Sequence, residues 1–292
     1  MPPPPRPQPF LLIALHPLRF AWRVLKRFRA NQGLLLSGAI AYYALLSIVP
    51  LLTLLLVVLS RIVDENLLLV TVARYLPLVV PGETAYVLAQ IRDFLDHRDI
   101  AGWVMFVVLL FFSSVAFTIL ENAMSVIFAY RVVVRRRHFL TSALLPYIYI
   151  VALGCGLLLT SLIAGYLELL AQDRIALFGR VWSLDRLSVG LLYLIGLASE
   201  ILMFASIYMV MPVGRLSWRH ALIGGATAAW LWELARHVML WYFANLSLVG
   251  VVYGSLATTI VALLGLEIAG IILLLGAQVI AEYERIALGE AL

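Results

Sequence analysis

The chain has 292 residues, of which 64% are hydrophobic and 13% are charged, with a mean hydropathy of +1.02. A soluble chain is roughly a quarter charged, so this composition excludes an ordinary soluble enzyme and points to membrane-spanning segments. The excess charge of +5 comes from Arg, since Lys26 is the single Lys; the single Cys155 lies in an apolar run, which excludes an intrachain disulfide.

Met1–Pro9 is rich in proline and reads as an extended tail. The apolar run Phe10–Leu15 is too short for a signal-peptide core and has no small-residue cleavage site after it, so no processing is expected. Over Pro17–Ala30, Leu18, Ala21, Trp22, Leu25 and Phe28 share one helical face, with Arg19, Arg23, Lys26, Arg27 and Arg29 off it. The pattern suits a helix in the membrane interface, and equally a basic flank obeying the positive-inside rule.

Hydropathy predicts an all-α bundle of six spans: Leu34–Ser60, Gly102–Tyr130, Leu140–Leu167, Leu187–Met211, Ala221–Leu246 and Leu256–Ala281. Each exceeds the roughly 20 residues that cross a 30 Å hydrocarbon layer. Pro50 and Pro146 sit inside spans, where each removes a backbone donor and is expected to kink its helix. Between the first two spans, Leu67–Leu78 and Glu83–His97 are amphipathic, with Tyr86, Leu88, Ile91, Phe94 and Leu95 as apolar contacts and Pro81-Gly82 as a turn. Two short extracytoplasmic helices capping the bundle are expected there. The chain thus divides into a tail and basic helix (1–33), one membrane domain (34–281, with 61–101 a structured outer loop) and a cytoplasmic tail (282–292).

Orientation follows from the flanking Lys and Arg: thirteen lie on the side of the N-terminal flank and seven on the other. The two basic outer loops also hold nine acids. The positive-inside rule then puts both ends of the chain in the cytoplasm.

Four carboxylates interrupt the apolar spans: Glu121, followed by Asn122, then Glu200, Glu233 and Glu267. They lie about 9–13 residues from the span ends, too deep for easy snorkelling at 1.5 Å per residue. One charge at mid-bilayer costs roughly 2.5–3.5 kcal/mol on insertion scales, so these groups must be paired, protonated or in contact with water. Arg236 and His237 stand at i+3 and i+4 from Glu233, so an internal ion pair is one solution there. For Glu121, Glu200 and Glu267 two readings stand: hydrogen-bonded glue between helices, or the lining of a polar cavity or substrate path. Small residues (Gly154 and Gly156; Gly224, Gly225 and Ala228; Gly265, Ala269 and Gly270) predict close helix packing. Arg131, Arg135, Arg136 and Arg137 form a basic cluster beside the second span, which either sets orientation or docks anionic lipid head groups.

Several stretches, in order along nearly the whole chain, resemble the YihY/BrkB family of bacterial inner-membrane proteins. They are Ala41-Tyr42-Tyr43-Ala44-Leu45-Leu46-Ser47-Ile48-Val49-Pro50, Glu121-Asn122-Ala123, Pro146-Tyr147, Trp218-Arg219-His220-Ala221-Leu222-Ile223-Gly224, Leu231-Trp232-Glu233-Leu234-Ala235, Tyr253-Gly254-Ser255-Leu256 and Leu273-Leu274-Leu275-Gly276-Ala277-Gln278. Val213, Glu267 and Gln278 depart from the residues common in the family at those places. The resemblance implies a six-span inner-membrane protein; members have carried ribonuclease BN and serum-resistance labels and proposals of lipid or glycolipid export.

The residues themselves argue against an enzyme and against nucleic acid as a partner. Hydrolysis of RNA needs carboxylates or acid–base pairs open to water and to a polyanion, whereas these are buried in the bilayer. His16, His97, His138, His220 and His237 show no metal-ligand spacing, no phosphate-cradling glycine loop is present, and neither a catalytic residue nor a metal or cofactor site is expected. The leading expectation is a transporter or a lipid- or glycolipid-translocating protein, with membrane lipids, anionic ones among them, as partners. A non-transporting envelope scaffold, binding partners through the outer helices, is the alternative.

Overall fold

The computed structural model describes residues 9–64, 67, 69–74, 84–130, 156, 176–177, 180–181, 185–210, 216–245 and 257–290. In chain order the helices are α1 (Pro9–Leu15), α2 (Pro17–Ala30), α3 (Gly33–Ile62), α4 (Thr84–Asp96), α5 (Arg98–Ile127), α6 (Asp185–Val210), α7 (Trp218–Asn245) and α8 (Ala257–Ala287). Between α5 and α6 lies a two-residue antiparallel ladder, β1 (Ala176–Leu177) with β2 (Arg180–Val181), in which Ala176 faces Val181. That ladder falls in the expected outer loop Glu168–Arg186 and is the one departure from an all-helical fold among the described residues.

Four of the expected spans are helices long and apolar enough to cross a membrane: Gly33–Ile62, Gly102–Ile127, Tyr193–Val210 and Thr259–Ala287. Their outer faces carry large apolar side chains in the open, among them Leu35, Val49, Leu52, Leu55 and Val58 on α3, and Val104, Val107 and Phe111 on α5. Surfaces of that kind are stable against hydrocarbon and not against water. The expected span Ala221–Leu246 is the continuous helix α7, which is not among those four because Glu233, Arg236 and His237 dilute its apolar character. The expected span Leu140–Leu167, with Pro146, lies outside the described residues except for Gly156.

Two compact units are present, one formed by Met1–Gly33, Glu121–Leu234 and Ile272–Leu292, the other by Leu34–Leu120 and Ala235–Ile271. In the second unit α3 runs through Pro50 without ending. Gly270 of α8 meets α3 backbone to backbone, where an added Cβ would stand 3.1 Å from Cβ of Ser37 and 3.3 Å from its carbonyl oxygen. Ser37 is fully buried and satisfies its hydroxyl on the Leu34 carbonyl at 2.9 Å. The outer segment has its own small core: Leu69 and Leu95 are buried, and Leu56, Val72, Leu88 and Ile91 pack on them. Of the expected segments, Glu83–His97 is helical over α4 and Leu67–Leu78 is helical at residues 69–74, with Leu88, Ile91 and Leu95 facing this core; Tyr86 and Phe94 lie among the side chains not described.

In the first unit the small residues of α7 do what their size allows. A Cβ on Gly224 would stand 3.1 Å from the Gly276 carbonyl oxygen of α8 and inside the Ile280 side chain. One on Gly225 would stand 2.6 Å from the Ile201 carbonyl oxygen of α6. Tyr208 of α6 fills the space beside Gly276, fully buried, and donates its hydroxyl to the Leu273 carbonyl at 2.8 Å. Gly265 is different: among the described residues a Cβ there meets nothing within 4 Å.

Candidate functional site

Two polar groupings interrupt this apolar architecture. The first is the set of carboxylates inside the spans. Glu121 lies on α5, Glu200 on α6, Glu233 on α7 and Glu267 on α8, each half-buried and each on a different helix. Glu267 reaches α3, with Oε1 3.8 Å from the position a Cβ would take on Gly38; glycine there leaves room for the carboxylate. Asn122, Arg236 and His237 are exposed on α5 and α7. Arg131, Arg135, Arg136 and Arg137 lie outside the described residues, as does Pro146.

The second grouping joins α2, the end of α5, the start of α7 and the last turns of α8. It was not anticipated as a site. Helix α8 continues six residues past Ala281, and Glu282 on that extension has no exposed surface. Arg23 of α2 donates to Glu282 from Nε at 2.6 Å, with Arg27 Nε at 3.8 Å. Gln278, one turn earlier, donates to the other Glu282 oxygen at 3.2 Å and accepts from the Asn31 side chain at 2.9 Å. Arg23, Arg27 and Asn31 recur every four residues, as do Gln278 and Glu282, so each row forms a stripe along its helix. A fully buried carboxylate is tolerable only when paired and hydrogen-bonded, and both conditions are met here.

A neighbouring carboxylate, Glu284, accepts the Tyr130 hydroxyl at 2.5 Å and stands 2.7 Å from His220 Nδ1. Arg285 stacks over the Tyr130 ring with its guanidinium carbon 4.8 Å from the centroid. Beyond the helix end, Glu290 pairs with Arg23 and lies 3.9 Å from Arg27 and 4.0 Å from Arg285. Among the described residues no three His, Cys, Asp or Glu side chains are grouped to hold a metal ion.

This network corrects the reading of Pro17–Ala30. The helix carries one continuous apolar arc, and one edge of it packs on protein. Val24 and Phe28 are buried on the side that also carries Arg23 and Arg27, whereas Leu18, Trp22 and Leu25 are exposed on another. Phe28 therefore belongs to the protein-facing side, because Gly33 makes space for its ring, and Arg23 and Arg27 are internal ion-pair partners. Leu18, Ala21, Trp22 and Leu25 remain available to lipid. The signal that could have exposed the network is the matched four-residue spacing of polar side chains on α2 and α8, since Glu282 follows directly on a long apolar run.

The family described as virulence factor BrkB matches residues 24–291, which covers the described members of both groupings except Arg23, one residue before the match. The chain belongs to the BrkB family. Curated relatives carry the name UPF0761 membrane protein: one from Azotobacter vinelandii is 29% identical, covering 89% of this chain and 62% of its own length. Others from Alkalilimnicola ehrlichii and Chromohalobacter salexigens are 29% and 28% identical, over 57% and 64% of their own lengths. This BrkB-family chain therefore spans about three fifths of the length of the curated relatives it matches. No solved structure matches it. With its exposed apolar helices and its family, it is an integral membrane protein.

Proposed function

We propose that this BrkB-family protein moves an anionic lipid or glycolipid across a bacterial inner membrane, through a six-span bundle with both ends in the cytoplasm. The observation that carries the reading is the distribution of Glu121, Glu200 and Glu233, one on each of three helices of one unit and each half-buried, with Glu267 half-buried in the other unit. Carboxylates serving only as glue between helices belong in dry contacts, as Glu282 is held; the partial exposure of Glu121 and Glu233 supports a polar path. The basic residues of the inner flank would collect anionic head groups, and the internal carboxylates would relieve the desolvation of polar groups crossing the apolar layer. Neither step makes or breaks a covalent bond, so the reading is of a non-enzymatic protein.

Reconstitution into vesicles tests this. Purified protein in vesicles of anionic lipid should accelerate the passage of a head-group-labelled lipid between leaflets over protein-free vesicles. Absence of lipid movement under every imposed proton or ion gradient would remove the reading. Cysteine accessibility in cells, with both ends and the 131–137 loop protected from outside reagents, tests the six-span arrangement separately.

A further inference from the structure

Three guanidinium groups converge on one exposed carboxylate at the end of α8. Arg23 and Arg27 come from α2, Arg285 from the last turn of α8, and the carboxylate is that of Glu290. Only Arg23 is within hydrogen-bond reach of it. Arg27 Nη2 stays 3.9 Å from Oε2 and Arg285 Nη1 4.0 Å from Oε1. Arg285 Nε, although buried, has no hydrogen-bond partner. A carboxylate offers two oxygens in one plane and does not fill this three-sided cradle. A tetrahedral phosphoryl group carries three terminal oxygens and can close gaps of 3.9–4.0 Å to the 2.7–2.9 Å of a charge-assisted bond.

Charge points the same way. Of the three guanidinium charges, Glu282 neutralises one through its 2.6 Å bond to Arg23. A phosphate monoester carries roughly −1.5 to −2 charge at neutral pH, more than the single charge of Glu290 that it would replace. The Glu290 side chain can withdraw by rotation: it is 46% exposed, while its backbone N–H stays bonded to the Arg285 carbonyl at 3.1 Å just past Gly289, whose φ is +102°.

We propose that Arg23, Arg27 and Arg285 form a binding site for a phosphate monoester, occupied in this structure by Glu290 as a tethered stand-in. The exposed Leu18, Trp22 and Leu25, with exposed Arg19, Lys26 and Arg29 on the same helix, suit α2 to the head-group layer. The phosphoryl group can thus come from a lipid head group or from free phosphate. The site stands apart from the mid-membrane carboxylates, so it holds or fails independently of lipid movement.

The test is a titration of the purified full chain in a zwitterionic detergent with inorganic phosphate and, separately, with dihexanoyl phosphatidic acid below its micelle concentration. Glu290→Gln removes the tethered competitor and is expected to tighten binding on the order of tenfold, while Arg27→Gln weakens it on the order of tenfold. Both positions are exposed, and a gain of affinity in Glu290→Gln cannot arise from misfolding. Tighter binding of phosphatidic acid than of phosphate assigns the site to a lipid head group; equal binding of the two assigns it to phosphoryl groups in general. Equal affinities of wild type, Glu290→Gln and Arg27→Gln for both probes would overturn the proposal.

Discussion

Removing Glu282 or Arg23 probes the junction of α2 with α8 directly. Glu282 is fully buried and Arg23 is 18% exposed, with 2.6 Å between them. Deleting one partner of a buried pair costs about 3–5 kcal/mol, because the survivor stays desolvated without its counter-charge. The two deletions should not cost the same. After Glu282→Ala, Arg23 keeps Glu290 and some solvent, so the loss falls near the lower end, about 3 kcal/mol. After Arg23→Ala, a carboxylate with no exposed surface retains only Gln278 and, at 3.8 Å, Arg27, which places the loss near the upper end, about 5 kcal/mol. The double variant should cost clearly less than the two together, since neither charge is then stranded. Unfolding in mixed micelles titrated with SDS gives all three values. Losses that add to within about 0.5 kcal/mol would refute a direct coupling, and a Glu282→Ala loss below about 1 kcal/mol would mean that the pair behaves as a surface pair.

Other expectations follow from single contacts. Tyr208→Phe keeps the buried ring and loses the 2.8 Å bond to the Leu273 carbonyl, which should cost about 1–2 kcal/mol in the same unfolding assay. Gly224→Val places a branched side chain where the Gly276 carbonyl and Ile280 already sit, so a loss of about 1–3 kcal/mol or a failure to accumulate in the membrane is expected, whereas Gly265→Ala should be within about 0.5 kcal/mol of wild type. Gln32 holds a left-handed backbone at φ +56° between α2 and α3; Gln32→Gly should relieve roughly 1 kcal/mol of strain, offset in part by the greater freedom of the unfolded chain, and a large loss of stability would contradict that account.

Lipid makes a helix legible in a way that water does not. Because a span must be apolar for about 20 residues on every lipid-facing side, α3, α5, α6 and α8 announce themselves by hydropathy alone. The outer helical segments followed from local amphipathic spacing, and Leu88, Ile91 and Leu95 face one small core as that spacing requires. What local patterning cannot supply is the identity of a partner. Arg23 and Glu282 are 259 positions apart, and no property of Pro17–Ala30 distinguishes an Arg facing lipid head groups from one facing a buried carboxylate. Phe28 stands at the edge of one continuous apolar arc, and periodicity does not say which part of that arc packs on protein. Gln278 shows how a departure from the family's common residue can be structural, since its amide bridges Asn31 and Glu282 with both donor and acceptor in use. The reading of Glu282–Leu292 as a tail stopped at the end of the apolar run, whereas the helix itself runs to Ala287 and carries the network there.

The most direct measurement of the central claim compares three proteins in vesicles for the rate of labelled-lipid movement between leaflets: wild type, Glu233→Gln and Gly265→Ala. The polar-path account predicts that Glu233→Gln slows movement at least about tenfold, the kinetic equivalent of about 1.4 kcal/mol, and that Gly265→Ala moves lipid at the wild-type rate. Equal rates for all three, or no movement by wild type, would contradict it.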